Sequence, residues 1–221
     1  MISKLKVAVI GLGNIGTAVA TNLVKGNRAV IVADRKIERA KKLSQKVGNL
    51  ALPMEIPDAI KDANIIVFAV WFNAIKELLN NYATELRGKI IVDPSNPIAR
   101  DDKGGFKKII GVQESAGVIL SSLLPKDAKL VKALGTLNGT SLAGAAFQKP
   151  ANVLFYATDD TTINKEVEQL IRDTGFEPLR IGGIDQSIRI EAFGDLHEFG
   201  ELGKTVTTSE AMKKLYHDQF I

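Results

Sequence analysis

The chain has 221 residues, 45% hydrophobic and 24% charged, the balance of a folded, soluble protein with a sizeable core. It contains no cysteine, which excludes disulfides, thiolate metal sites and a cysteine nucleophile and fits a cytoplasmic location. The formal charge of +4 comes from Lys and Arg scattered among Asp and Glu, so nucleic acid is not an expected partner, and the longest apolar run, Ile65 to Phe72, is too short to span a membrane.

A buried strand is expected over Lys6–Ile10, followed at once by Gly11-Leu-Gly-Asn-Ile-Gly16 and a helix over Ile15–Lys25. A second strand, Ala29–Ala33, ends at Asp34. A glycine triplet between strand and helix, with an acidic residue closing the next strand, is the fingerprint of a dinucleotide-binding fold. Gly11 permits the tight turn, Gly13 lets the backbone approach a pyrophosphate, and Gly16 lets the helix pack on the sheet. The intervening Leu12, Asn14 and Ile15 bring their backbone amides to the helix N-terminus, which favours anions.

Asp34, Arg35 and Lys36 give opposed signals about the cofactor. An acidic residue here accepts hydrogen bonds from adenosine ribose hydroxyls, as in NAD sites, or caps the next helix, Lys36–Val47. The two cations suit a ribose 2′-phosphate and tip the reading to NADP over NAD.

Further strands are expected over Ile65–Val70, Lys89–Asp93, Leu130–Leu134, Asn152–Ala157 and Pro178–Ile181. Helices are expected over Asn73–Tyr82, Gln113–Leu123, Ile163–Thr174, Asp185–Leu202 and Ser209–Tyr216. This alternation predicts an α/β, Rossmann-type doubly wound, mostly parallel sheet, extended by a small C-terminal α/β region. Asp93–Phe106 has the turn chemistry of a long loop. The Gly-, Ser- and Thr-rich stretch Thr136–Pro150 is taken as the seam between an NADP-binding domain, 1–137, and a C-terminal region, 138–221.

In such a sheet, ligands lie beyond the carboxyl ends of the strands. The candidate site therefore also includes Ala69, Val70 and Trp71, then Ser95, Asn96 and Pro97, then Gly135 and Thr136. Trp71 either shields the reactive ring or packs in the core. Ser95, Asn96 and Thr136 either bond a carboxamide or substrate or simply form turns. Gly135 is expected to leave room for a ring. His197 and His217 have no second ligand at metal spacing and read as partly exposed helix positions, and Arg189 and Glu191 as an ordinary helix face or an interface. No catalytic dyad stands out, as suits hydride transfer, in which the cofactor carries the chemistry.

The glycine loop, the Arg after the second strand, Ala69-Val-Trp71, Lys89-Ile-Ile-Val-Asp-Pro-Ser-Asn-Pro97, Ser115-Ala-Gly117, Lys129-Leu-Val-Lys-Ala-Leu134 and Arg189-Ile-Glu191 occur in an order that resembles one family. This is the NADP oxidoreductases that use a deazaflavin coenzyme of the F-420 type, whose sheet module is similar to the reductase domains of membrane metalloreductases. The resemblance implies that residues 11 to 16 hold the pyrophosphate and Arg35 the 2′-phosphate. It also implies that the loops at 69–72, 94–97 and 134–138 flank the nicotinamide. A deazaflavin or flavin is then the small-molecule redox partner, covered by the C-terminal region of a homodimer. The chain departs from the family pattern at Asp34, where a small hydroxylic residue is common, and at Gly135, where deazaflavin users can carry histidine. Two other readings compete: a non-catalytic NADP sensor, and a reductase of the pyrroline-carboxylate or hydroxyacid type, which usually adds a long helical domain.

Overall fold

The central strands are apolar at every position because helices cover both faces of the sheet they form. The computed structural model describes residues 5–216. Its first half runs β1 (Val7–Ile10), α1 (Asn14–Lys25), β2 (Val30–Ala33), α2 (Ile37–Val47), β3 (Ala51–Pro53), α3 (Ile56–Asp62), β4 (Ile65–Phe68), α4 (Phe72–Asn81) and β5 (Ile90–Asp93). Then come β6 (Ile98–Arg100), β7 (Phe106–Lys108), α5 (Ala116–Ser121), β8 (Lys129–Lys132) and α6 (Gly139–Gly144). The chain continues through β9 (Val153–Ala157), α7 (Asn164–Asp173), β10 (Glu177–Gly182), a 3-10 helix (Ile184–Ile190) and α8 (Thr208–Tyr216).

Eight strands share one sheet in the order β10-β9-β8-β5-β4-β1-β2-β3. The chain builds outward from β1 through β2 to β3, then returns to place β4 on the other side of β1. That reversal opens a crevice at the carboxyl ends of β1 and β4, the ligand position in such sheets. Side chains alternate across the sheet. Val7, Val9, Val32 and Val67 pack under α1, α2 and α7, while Ala8, Ile10, Ile66 and Phe68 pack under α3, α4 and α5. The expected α/β, mostly parallel, Rossmann-type sheet is therefore the observed one. The exception is β9, which meets β8 antiparallel at Lys132 and Ala157; β10 runs parallel to β9. Both strands lie beyond residue 137, yet they join the same sheet.

Several local expectations are corrected. Asp185–Leu202 is not a helix: a 3-10 turn ends at Ile190 and irregular turns follow. Tertiary bonds win there, because Glu191 and Ala192 bond to distant segments and Phe193 takes φ +74. The helix expected over Gln113–Leu123 shrinks to α5, which starts where the Ser115 hydroxyl accepts the Val118 amide hydrogen. The 93–106 loop contains an antiparallel hairpin of β6 and β7. The Thr136–Pro150 stretch contains α6, capped by the Asn138 side chain on the amides of Thr140 and Ser141. β3 and α3 were not anticipated, being only three and seven residues long.

Candidate active site

The first wall of the crevice is the glycine loop. Gly11 adopts φ +92, and a Cβ there would lie 2.4 Å from Val70 Cγ1 and 2.6 Å from the Ala69 carbonyl oxygen. Gly16 packs as closely: its Cβ would meet the Gly11 carbonyl oxygen at 1.8 Å. These two positions join β1, α1 and the end of β4, so Ala69 and Val70 back the loop. Gly13 differs, since nothing lies within 4 Å of where its Cβ would stand. It is exposed at the N-terminus of the 12-residue α1, with no side-chain cap and no acidic residue in the first turn. Asn14 is also exposed and Ile15 half-buried. Open space before an uncapped helix start fits a pyrophosphate.

Asp34 is buried, with both carboxylate oxygens engaged. Oδ2 accepts the Leu12 amide hydrogen at 2.9 Å, and Oδ1 accepts that of Lys36 at 3.2 Å. The Arg39 guanidinium stands 3.8 Å away. Asp34 thus ties the glycine loop to the end of β2, and the helix cap is Lys36 itself, which uses no side-chain bond. Arg35 and Lys36 are exposed, and among the described residues neither has an ion-pair partner. The residues present therefore fit a dinucleotide, and the two free cations beside Asp34 fit a phosphorylated ribose.

Trp71 is 63% exposed at the start of α4, so it does not pack in the core. The loops after β5 and β8 are held from below. Asp93, fully buried, accepts the Ser95 amide hydrogen at 2.7 Å through Oδ1 and the Lys132 ammonium at 2.7 Å through Oδ2. Lys132 also donates to the Ser95 carbonyl and lies 3.8 Å from Glu191. Asn96 donates through Nδ2 to the Gly135 carbonyl at 3.1 Å and accepts the Ala192 amide hydrogen through Oδ1 at 2.6 Å. Its amide is thus committed to joining three segments, and Pro97 beside it is buried. Among the described residues two hydroxyls are buried without a partner: Ser95 Oγ and Thr136 Oγ1. A buried hydroxyl without a partner is costly, so these two suit a polar ligand group.

Three readings of this region change. Gly135 leaves no room for a ring: a Cβ there would lie 2.3 Å from the Pro94 carbonyl oxygen, so its small size serves loop-to-loop packing. His197 is not a partly exposed helix residue but 2% exposed. Its Nδ1 accepts the Phe199 amide hydrogen at 2.9 Å, which makes Nε2–H the donor to the Gly135 carbonyl at 3.0 Å. Burial pushes its pKa down to about 4; the Gly135 bond partly opposes this and the charge on Lys132 adds to it. Glu191, read as a helix face, is buried and accepts the Ala116 and Gly117 amide hydrogens at 3.0 Å each. Arg189 instead forms a two-pronged pair with Asp195. His217 lies outside the described residues. The sequence reading missed Lys132 as a buried cation; a lysine inside an apolar run, opposite a strand ending in Asp93, was the available signal.

The family model described as NADP oxidoreductase coenzyme F420-dependent matches residues 6–97. The chain is 28% identical over 187 residues to "Metalloreductase STEAP3" of Rattus norvegicus, covering 85% of this chain but only 36% of that protein. It is 20% identical over 202 residues to the "F420-dependent NADP reductase" of Methanocaldococcus jannaschii, covering 87% of this chain and 90% of the other. Among solved structures, a hypothetical protein, SMa0349, from Sinorhizobium meliloti superposes with a TM-score of 0.80 at 25% identity, covering 92% of this chain and 96% of that one.

Proposed function

We propose that the chain is an NADP(H)-dependent oxidoreductase that moves hydride between the nicotinamide and a planar redox coenzyme of the deazaflavin or flavin type. It is an enzyme of the oxidoreductase class and uses NADP. The observation that carries the NADP preference is the state of residues 34–36: Asp34 is spent on two backbone amides, while Arg35 and Lys36 stand unpaired beside it. NADPH, when bound, would supply two electrons and a proton as hydride, the balancing proton coming from water.

The chain's own residues hold, orient and shield. The α1 N-terminus and Gly13 receive the pyrophosphate. Ser95 and Thr136 supply hydroxyls for a carboxamide, and Trp71 offers an exposed indole over the crevice. His197 donates no proton to a substrate, since it is neutral near pH 7 and both ring nitrogens are engaged. That favours a flat acceptor over a carbonyl, whose reduction needs a placed acid. Residues 138–221 act as the cover of the second coenzyme, in a cytoplasmic homodimer. No helix of the described residues is long and apolar enough to cross a membrane.

The test is titration with NADPH and NADH, followed by steady-state turnover of NADPH with the deazaflavin coenzyme, FMN, quinones, ferric chelates and small keto acids. The expected result is tighter NADPH binding and turnover with a flat conjugated acceptor. Preference for NADH, or turnover confined to carbonyl compounds, would overturn the proposal. Tight NADPH binding with no turnover would leave a sensor.

A further inference from the structure

Residues 189–200 are fastened at nearly every position, yet they present two phenylalanines to solvent. Glu191 is clamped by two amides, Ala192 bonds to Asn96, Leu196 is fully buried, and the Glu198 amide donates to the Thr136 carbonyl at 3.1 Å. Between these anchors Phe193 is 50% exposed and Phe199 53%. Phe199 rests on the His197 ring, with centroids 5.6 Å apart. Among the described residues Phe193 has no ring contact, and its φ of +74 lies in the left-handed region, where a bulky side chain is a genuine outlier.

Strain of this kind persists only where the surroundings over-determine it, and it clusters at ligand sites. The surroundings do so here: Gly194 packs so closely that a Cβ on it would lie 2.4 Å from the Ile188 and Arg189 carbonyl oxygens, and Glu191, Ala192 and Leu196 are held on either side. The anchors also locate the ring. Ala192 is bonded to Asn96, His197 to Gly135 and Glu198 to Thr136, so Phe193 emerges beside the loops that follow β5 and β8. Those loops carry the two buried, unpartnered hydroxyls of Ser95 and Thr136, the polar groups assigned above to the nicotinamide carboxamide, so Phe193 emerges next to where the nicotinamide would lie.

We infer that Phe193 is the aromatic wall of the acceptor subsite, held in a strained backbone so that its face stacks on a flat conjugated redox ring. The inference rests on the hydride-transfer reading and adds a specificity-determining residue to it. Stacking on an aromatic face tolerates different flat rings and rejects small aliphatic acceptors.

The experiment measures kcat and KM for FMN and for the deazaflavin coenzyme at saturating NADPH, in wild type and in Phe193→Gly, Phe193→Leu and Phe193→Tyr, with NADPH affinity measured in parallel. Glycine adopts φ +74 without strain, so Phe193→Gly should melt no lower than wild type. Phe193→Gly and Phe193→Leu should raise acceptor KM about tenfold, with kcat less affected and NADPH affinity unchanged, while Phe193→Tyr should restore KM. An unchanged acceptor KM in both variants, or an equal loss of NADPH affinity, overturns the inference and leaves the hydride-transfer reading intact. Absence of wild-type turnover with both acceptors overturns that reading and the inference together.

Discussion

His197 should make this protein less stable in mild acid. Its pKa falls from 6.5 in the unfolded chain to about 4 when folded, because the imidazole is 2% exposed and stands near the Lys132 charge. In the window between those values the unfolded state binds a proton that the folded state refuses. Stability contributed by His197 is therefore complete above about pH 6.5 and is lost as pH falls towards 4. At 1.36 kcal/mol per pKa unit, the shift corresponds to about 3 kcal/mol, a large share of a typical folding free energy. His197→Gln keeps a donor for the Gly135 carbonyl and cannot titrate. Urea unfolding followed by far-ultraviolet circular dichroism, repeated from pH 7.5 to 4, reads the effect in both proteins. Wild type should lose about 3 kcal/mol more than the variant over that range, with the gap opening below pH 6.5. Parallel curves would mean that His197 titrates as an exposed residue and would refute the burial argument.

Gly13→Val should abolish NADPH binding in calorimetry without lowering the melting temperature, since its Cβ meets no protein atom and projects into open space before α1. Arg35→Ala should weaken NADPH by about 1.5–3 kcal/mol and leave NADH nearly unchanged; equal losses would undo the NADP assignment. Asp34→Ala leaves the buried Leu12 amide without its acceptor and should cost about 1–3 kcal/mol in denaturant unfolding, whether or not cofactor is present. Lys132→Met leaves Asp93 and Glu191 buried without their cation, so a loss of about 3–5 kcal/mol is expected, and an unchanged unfolding midpoint would show that the buried ion pair does not stabilise the fold.

The strands and the glycine loop were legible because their signals are local. A run such as Val7-Ala-Val-Ile10 states its burial within four residues, and the spacing of Gly11, Gly13 and Gly16 states its turn within six. Residues 34–36 gave opposed signals in sequence, an acidic residue beside two cations. Tertiary structure alone decided what those residues touch. Asp34 reaches back 22 positions to Leu12, and Asn96 reaches forward 96 to Ala192. His197 and Glu191, in a segment patterned like a helix, became buried anchors because Gly135, Ala116 and Gly117 offered them bonds that no local pattern encodes. Gly135 shows the same limit from the other side: its lack of a side chain is visible in sequence, but only the fold shows that Pro94, not a ligand, occupies the space. Local order follows from short-range periodicity and turn chemistry, whereas the partners of a buried polar group follow from which distant segments the packed sheet brings within hydrogen-bond reach.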